Sequence, residues 1–442
     1  IRRYLMYKGY EVTFAQNLTD VDDKIINRAN EQRRTAESVA EEFSDKFIAV
    51  MRRANVLDPD VRPRATKEIG PMIGMIKSLI EQGHAYAAEN GDVYFAVRSD
   101  PSYGEVSGRR VDDLMVGARI EENEIKRDPL DFALWKAAKP GEPSWPSPWG
   151  AGRPGWHTEC AAMVHRYLGV PIDIHGGGSD LAFPHHENEC AQATCAWHEG
   201  FANTWMHTGM LLVNGEKMSK SLGNFFTLEE VLEKHSAAAL RLLMLQTHYR
   251  SPLDFSWERL EGAENSLTRI AGTVENLRWA AGHAADAPDA DRAAALSAAC
   301  EQTDTEYRAC MDDDFNTAGA LAAVFGFVTE ANQYLEAAQA DAAVDADAAL
   351  AAADALAGWL DTLGIQLPEP KVELPVGLLG VAAGLCAYTG DAVDEAAERI
   401  LAARAEARAA KDWARADAIR DQLRDMGLVI EDTAAGQRIK SV

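Results

Sequence analysis

Residues 174–189 read Ile174-His-Gly-Gly-Gly-Ser-Asp-Leu-Ala-Phe-Pro-His-His-Glu-Asn-Glu189, and the rest of the chain is read outward from them. Pro171 to Ile174 predicts a short apolar strand, and the three glycines after it let a ligand approach the backbone closely. Pro184 predicts a helix start, because its missing N–H and fixed φ suit the first turn. On that helix His185 and Glu189 lie four residues apart, so both project from one face. An imidazole and a carboxylate so placed are a ready pair of zinc ligands. His-x-x-x-Glu alone is more often a surface pair. Here Gly155-Trp-His-Thr-Glu-Cys160 adds a thiolate upstream, and Cys160, His185 and Glu189 are predicted to share one zinc ion. Cys190 and Cys195 are rival thiolates, but Cys190 points about 100° away from Glu189 on the helix, and core packing suits both. His186 reads as a supporting or packing residue.

Downstream, Lys217-Met-Ser-Lys-Ser221 sets two lysines on a loop between Gly215 and Gly223, which are expected to make it mobile. Lys217 and Lys220 on such a loop could grip phosphate and neutralise its charge. Gly176 to Gly178 would receive a ligand on bare backbone. Asp180 suits a ligand hydroxyl or ammonium. His175, at the strand end, either faces a substrate or is a structural histidine.

The chain has 442 residues, 47% apolar and 26% charged, which fits about three globular domains. No run approaches the roughly 20 apolar residues of a membrane span. Six irregularly spaced cysteines make no disulfide framework, so a reducing cytoplasm is the expected compartment. A net charge of −25 excludes a protein that coats nucleic acid non-specifically, while local clusters of cations remain compatible with RNA.

Ile1 to Gly9 reads as the tail of a helix, so an N-terminally incomplete chain is expected. Residues 10 to 16 predict a parallel strand, followed by Asn17-Leu-Thr-Asp-Val-Asp-Asp23 at its C-terminal edge, where ligands bind in open α/β sheets. The three aspartates suit a magnesium site, or equally helix capping by Asp20 or Asp22 with pairing to Lys24 or Arg28. Residues 25 to 54 and 65 to 88 are helical in period; Asp92 to Val97 is a strand; 98 to 155 is irregular and dense in Pro, Gly and Trp. Thr227 to Glu230 is a capping box opening a helix to about Gln246. Residues 258 to 363 predict an Ala-rich helical bundle broken near Pro288. A Pro-rich linker follows, then two helices breaking at Lys411-Asp-Trp413 and a closing hairpin. Arg404, Arg408, Lys411 and Arg415 share one face if the first helix continues, and Trp413 offers a stacking surface for a base.

Taken together, Trp156 to Cys160, His175 to Glu189 and Lys217 to Ser221 resemble the catalytic core of cysteinyl-tRNA synthetases, a class I aminoacyl-tRNA synthetase family. The resemblance runs from Asn17 to the C-terminal helix pair. The family's HIGH motif and first zinc cysteine have no counterpart here, which puts the activity of this chain and its fourth zinc ligand in question. The resemblance implies an α/β class: a Rossmann-like nucleotide-binding domain with an insertion, a helical bundle and a small anticodon-binding domain. Its expected parts are 1–24 and 156–225 (catalytic), 25–155 (helices and inserted subdomain), 226–257 (stem-contact-like), 258–365 (bundle), 366–390 (linker) and 391–442 (anticodon-binding).

The implied function is ATP-dependent activation of L-cysteine and its transfer to tRNA(Cys), by a cytoplasmic monomer holding one Zn2+ and using ATP with Mg2+. Zinc would separate cysteine from serine through the substrate's own sulfur, since sulfur is the softer and more acidic ligand. Thr19 and Trp156, with His157 nearby, are then expected beside the substrate cysteine. Lys220, His175, Gly177 and Asp180 are expected on the ATP, and Arg408, Trp413, Asp417 and Asp432 on the anticodon. A carboxylate such as Asp417 suits guanine N1 and N2. A related ligase joining cysteine to an amino sugar shares the zinc pocket, but residues 391–442 argue against it.

Overall fold

The structure is a computed structural model describing residues 1–111, 125–219, 222–368, 374–433 and 436–441. It divides into two compact units, Ile1–Glu261 and Gly262–Val442.

In the first unit, Asn17 to Asp23 leads into the helix Asp23–Gln32, whose N-cap Asp22 accepts from the Lys24 N–H. The other aspartates are also engaged. Asp20 accepts from the Thr66 N–H and hydroxyl, and Asp23 pairs with Lys136 and Arg153. Capping therefore falls as expected, but the pairing goes to residues more than a hundred positions away and not to Lys24 or Arg28. The expected strand over 10–16 is reduced to single parallel bridges, Ala15 to Val61 and Leu18 to Arg64.

Helical period over 65–88 resolves into Ile69–Glu81, with Met72, Met75, Ile76 and Leu79 buried, and then a strand. The stretch expected to be irregular contributes two strands. Ala85–Ala87, Val93–Phe95, Phe132–Ala137 and Gly152–Pro154 form an antiparallel four-stranded sheet in that order. Gly155, next in the chain, is needed for close approach: a Cβ there would sit 2.0 Å from the Ala133 carbonyl oxygen. That contact presses the start of the helix Trp156–Leu168 onto the sheet.

A parallel pair, Ile172–Gly178 and Ala202–Thr208, is connected through the helix Glu187–Trp197. A smaller sheet pairs Leu211–Val213 with Glu216–Lys217 and with Leu253–Phe255. Its hairpin turns on Asn214 and Gly215, both at positive φ, as a two-residue type I′ turn requires. The Gly215 N–H donates to Asp254 at 2.7 Å, so this glycine fixes a turn instead of loosening a loop. Thr227 and Glu230 form the expected capping box, although the helix stops at Lys234 and a second, Ala237–Leu245, is capped by Ser236.

The second unit holds the helices Ala290–Asp312, Thr317–Ala340 and Ala346–Thr362 and the greater part of Trp257–Ala281. Leu296, Thr303, Tyr307 and Met311 recur at helical spacing and are buried. Tyr307 donates to the Trp359 carbonyl at 3.1 Å, and Trp359 Nε1 donates to Asp304 at 2.9 Å. A separate core of Leu378, Ile400, Ile419, Leu423 and Leu428 holds Leu378–Cys386, Val393–Ala409, Trp413–Asp425 and the hairpin Leu428–Thr433/Gly436–Ser441.

Candidate active site

Cys160 rides the helix Trp156–Leu168, and His185 lies in a tight turn, Ala182–His186, that runs into Glu187–Trp197. The Cys160, His185 and Glu189 donor atoms lie within 4.8 Å of one another. His175, His186 and Glu189 form a second group at the same spacing. Glu189 belongs to both and is 0% exposed. Its carboxylate oxygens stand 2.7 Å from His185 Nε2 and 2.9 Å from His175 Nε2. Two imidazoles thus converge on one carboxylate with no solvent access. Burying a carboxylate costs several kcal/mol unless cationic or hydrogen-bonding partners answer it. The donor set fits a zinc ion.

Burial drives the Glu189 carboxyl upward, but His175 and His185 outweigh it and hold it below the usual carboxylate range. Burial and the charges of Glu189 and Glu159 push the Cys160 thiol well up. His157 Nδ1 lies 2.7 Å from His185 Nδ1; burial and His185 lower its pKa to about 3, so His157 is neutral. Burial likewise brings His186 down to about 3, and its Nδ1 meets His207 Nε2 at 2.8 Å.

Trp156 is 46% exposed and stacks on His185, ring centroids 4.2 Å apart, so it is a wall of the site and not core. Asn17 Nδ2 donates to Cys160 Sγ at 3.7 Å, and Thr19 lies near the buried Glu159, whose carboxyl burial pushes well above its usual range. A Cβ on Gly177 would fall 2.8 Å from the His186 ring, so the glycine is required by a protein side chain. Asp180 is exposed beside Gly178. Lys217 is exposed at the end of its hairpin, and Asn224 accepts from the Ser219 N–H at 2.8 Å. Lys220 and Ser221 lie outside the described residues.

Several residues of the site carried no signal in the sequence. Glu187 accepts from the Gly104 N–H, the Ser107 N–H and the Ser107 hydroxyl, and Asn188 accepts from Tyr103 OH. Four hydrogen bonds thus tie the turn bearing His185 and Glu189 to a distant loop. His207 was likewise not marked by any motif, and Glu159, inside the Gly155–Cys160 run, carried no assigned role.

In the C-terminal module the cationic stripe is broken. The helix ends at Ala409 and Lys411 takes φ 59°, which redirects the chain before Trp413. Arg404 is buried and bidentate on Asp432 at 2.6 and 2.9 Å, with Arg408 on the same carboxylate at 2.5 Å. Trp413 is 58% exposed, and Asp417 pairs with Arg420 at 3.0 Å.

Residues 1–265 match the family described as tRNA synthetases class I (C) catalytic domain. Residues 306–368 match the DALR domain, and 390–439 the cysteinyl-tRNA ligase anticodon binding domain. Two solved structures share the fold. Mycobacterium tuberculosis methionyl-tRNA synthetase has a TM-score of 0.61 at 16% identity, over 82% of this chain and 83% of that one. A putative arginyl-tRNA synthetase from Campylobacter jejuni has 0.53 at 13% identity, over 83% and 87%. The fold is that of a class I aminoacyl-tRNA synthetase.

Curated relatives narrow the class. The cysteine–tRNA ligase of Maridesulfovibrio salexigens is 46% identical over 98% of this chain and 88% of its own length. That of Pseudomonas paraeruginosa is 48% identical over 99% and 88%. The chain belongs to the cysteine–tRNA ligase family. It is an aminoacylating ligase, with ATP, cysteine and tRNA as its reactants. Among the described residues no helix is long and apolar enough to cross a membrane.

Proposed function

We propose that the cluster around Glu189 is the cysteine-selecting centre of this ligase, and that Cys160, His185 and Glu189 hold one zinc ion there. The observation that carries the reading is the convergence of a thiol, an imidazole and a fully buried carboxylate, their donor atoms within 4.8 Å of one another. Zinc, when bound, supplies a soft Lewis acid that takes a thiolate far better than a hydroxyl, and so separates cysteine from serine.

The chain's own residues do the rest. Trp156 walls the pocket on the His185 side. Thr19, near Glu159, offers its hydroxyl oxygen to the substrate ammonium. Neutral His157 fixes the His185 ring. His175, Gly177 and Asp180, at the C-terminal end of a parallel strand, border the ATP with its Mg2+. A cysteine carboxylate oxygen attacks the α-phosphorus; the bond to pyrophosphate breaks, its electron pair leaving with that group, and Lys217 and Lys220 neutralise the charge. The similar M. tuberculosis methionyl-tRNA synthetase was seen with methionyl-adenylate, which supports an adenylate here.

In the second unit Arg408, Trp413, Asp417 and Asp432 meet the anticodon. Asp432 serves mainly to orient Arg408, since its carboxylate already takes both arginines. Residues 1–24 and 156–225 form the catalytic part, with 25–155 inserted, 226–257 toward the tRNA stem, 258–365 as bundle, 366–390 as linker and 391–442 on the anticodon. A cytoplasmic monomer is the working state.

The test is metal content with cysteine-dependent pyrophosphate exchange. The chain should carry zinc, cobalt in its place should show thiolate charge-transfer absorption, and Cys160→Ser should lose that absorption and most exchange. Unchanged absorption and exchange in Cys160→Ser would overturn the assignment.

A further inference from the structure

The anticodon-binding module and the helical bundle keep separate cores, one around Leu378, Ile400 and Ile419, the other around Tyr307 and Trp359. Relative motion is the default for two such bodies unless a specific contact holds them. We propose that Arg438 is that contact: a positioning residue that fastens the C-terminal hairpin to the bundle helix Trp257–Ala281 and so sets how well the ligase tells its own tRNA from others. The proposal rests on the reading of Arg408 and Asp432 as anticodon residues.

Burial is the first argument. Arg438 lies on the strand Gly436–Ser441 and is only 9% exposed. A guanidinium stays charged and is expensive to bury alone, so its partners matter. They come from two elements. Glu431, directly opposite on the hairpin, accepts from Nε at 2.5 Å. The others belong to the bundle helix. Asn276 accepts from Nη2, the Glu275 carboxylate stands 3.6 Å from Nη1, and the Trp279 ring centre lies 5.3 Å from the guanidinium carbon.

The helix that receives Arg438 is itself held by the bundle. Val274, Leu277 and Ala280 are buried at helical spacing. Asn332 of Thr317–Ala340 donates to the Thr273 hydroxyl at 3.0 Å. Glu275, Asn276 and Trp279 share a different, half-buried side of the same helix. Arg438 is therefore anchored on a fixed element.

Register is the second argument. Successive residues of a strand face opposite ways. The rung Glu431/Arg438 faces the bundle, so the next rung, Asp432/Gln437, faces away from it. There Asp432 takes Arg404 and Arg408 of the helix Val393–Ala409, and Gln437 Nε2 donates to the same carboxylate at 2.8 Å. Neighbouring rungs share one hydrogen-bonded ribbon, so moving the Arg438 rung moves the Asp432 rung. The seat of Arg408 is thus set from the bundle through the hairpin.

The experiment measures charging of tRNA(Cys) and cysteine-dependent pyrophosphate exchange with the full chain, in wild type, Arg438→Ala and the bundle-side double variant Glu275→Gln/Asn276→Ala. Both variants should raise the KM for tRNA(Cys) about tenfold with kcat changed by less than about twofold, in the range for residues that couple two sites. The preference for tRNA(Cys) over an anticodon-mutated tRNA should shrink by the same factor. Pyrophosphate exchange, which needs no tRNA, should keep the wild-type rate. The double variant leaves the hairpin's own pairs in place, so it decides the matter if Arg438→Ala fails to fold. An unchanged tRNA KM in the double variant would overturn the proposal. Equal charging of both tRNAs by wild type would instead overturn the anticodon reading. Small-angle scattering then tests the fastening without tRNA: the double variant should show a larger radius of gyration than wild type, and an unchanged radius would overturn it.

Discussion

Two clusters of charged side chains in this molecule are built in opposite ways. Around Glu189 the carboxylate is wholly buried and faced by the ring nitrogens of His175 and His185, with the Cys160 thiol nearby. Around Asp432 the carboxylate is about two-fifths exposed and saturated by Arg404, Arg408 and Gln437. Saturated partners leave a cluster stable and chemically quiet. Metal-ligating groups converging on a buried charge leave it costly on its own and ready for a cation, which is why the first cluster reads as a reactive centre and the second as a scaffold for RNA contacts.

The sharpest way to break that contrast is to separate the two donor groups sharing Glu189. His185→Ala should lose the metal and reduce cysteine-dependent exchange by more than about 100-fold, beyond what supporting residues usually cost. His175→Ala should keep the metal. Zinc measured after gel filtration decides it, and the reverse pattern would move the site to His175, His186 and Glu189.

An effect of similar size is expected at Lys220. Lys220→Ala should slow adenylate formation by about 3 kcal/mol of transition-state stabilisation with cysteine affinity little changed. If cysteine binding fails while the saturated rate holds, the lysine is structural.

Glu187 tests whether the buried centre depends on its tether. Glu187→Ala strands the Gly104 and Ser107 N–H groups. It should cost about 1–3 kcal/mol in urea denaturation. An unchanged midpoint would mean the loop re-pairs with water.

The smallest effect belongs to the scaffold cluster. Arg404, with Arg408, holds the Asp432 carboxyl below its usual range. A folded pKa below the unfolded one gives stability that is present above about pH 4 and lost as pH falls. Asp432→Asn should therefore cost roughly 0.5–1 kcal/mol at pH 7, as for a partly exposed pair. The gap to wild type should close toward pH 3. A constant gap across that range would show that packing, not charge, is responsible.

The features legible in the chain are those whose partners lie within a few residues. The four-residue spacing of His185 and Glu189, the Thr227/Glu230 capping box, the break before Trp413, the bundle period and the closing hairpin all follow from local backbone geometry. The Asn214-Gly215 turn was equally local and could have been read as a hairpin.

What tertiary structure alone decided involves partners far apart in sequence. Only folding brings Asn17 to Cys160, a separation of 143 residues, or Gly104 to Glu187, a separation of 83. Only folding turns 132–137 and 152–154 into sheet strands, hands Asp23 to Arg153, and buries Arg404 on Asp432 out of an apparent surface stripe. Side-chain period reports which face of an element a residue occupies. It carries no record of what the rest of the chain places against that face, and for buried charges that neighbour decides whether the residue binds a ligand or braces the fold.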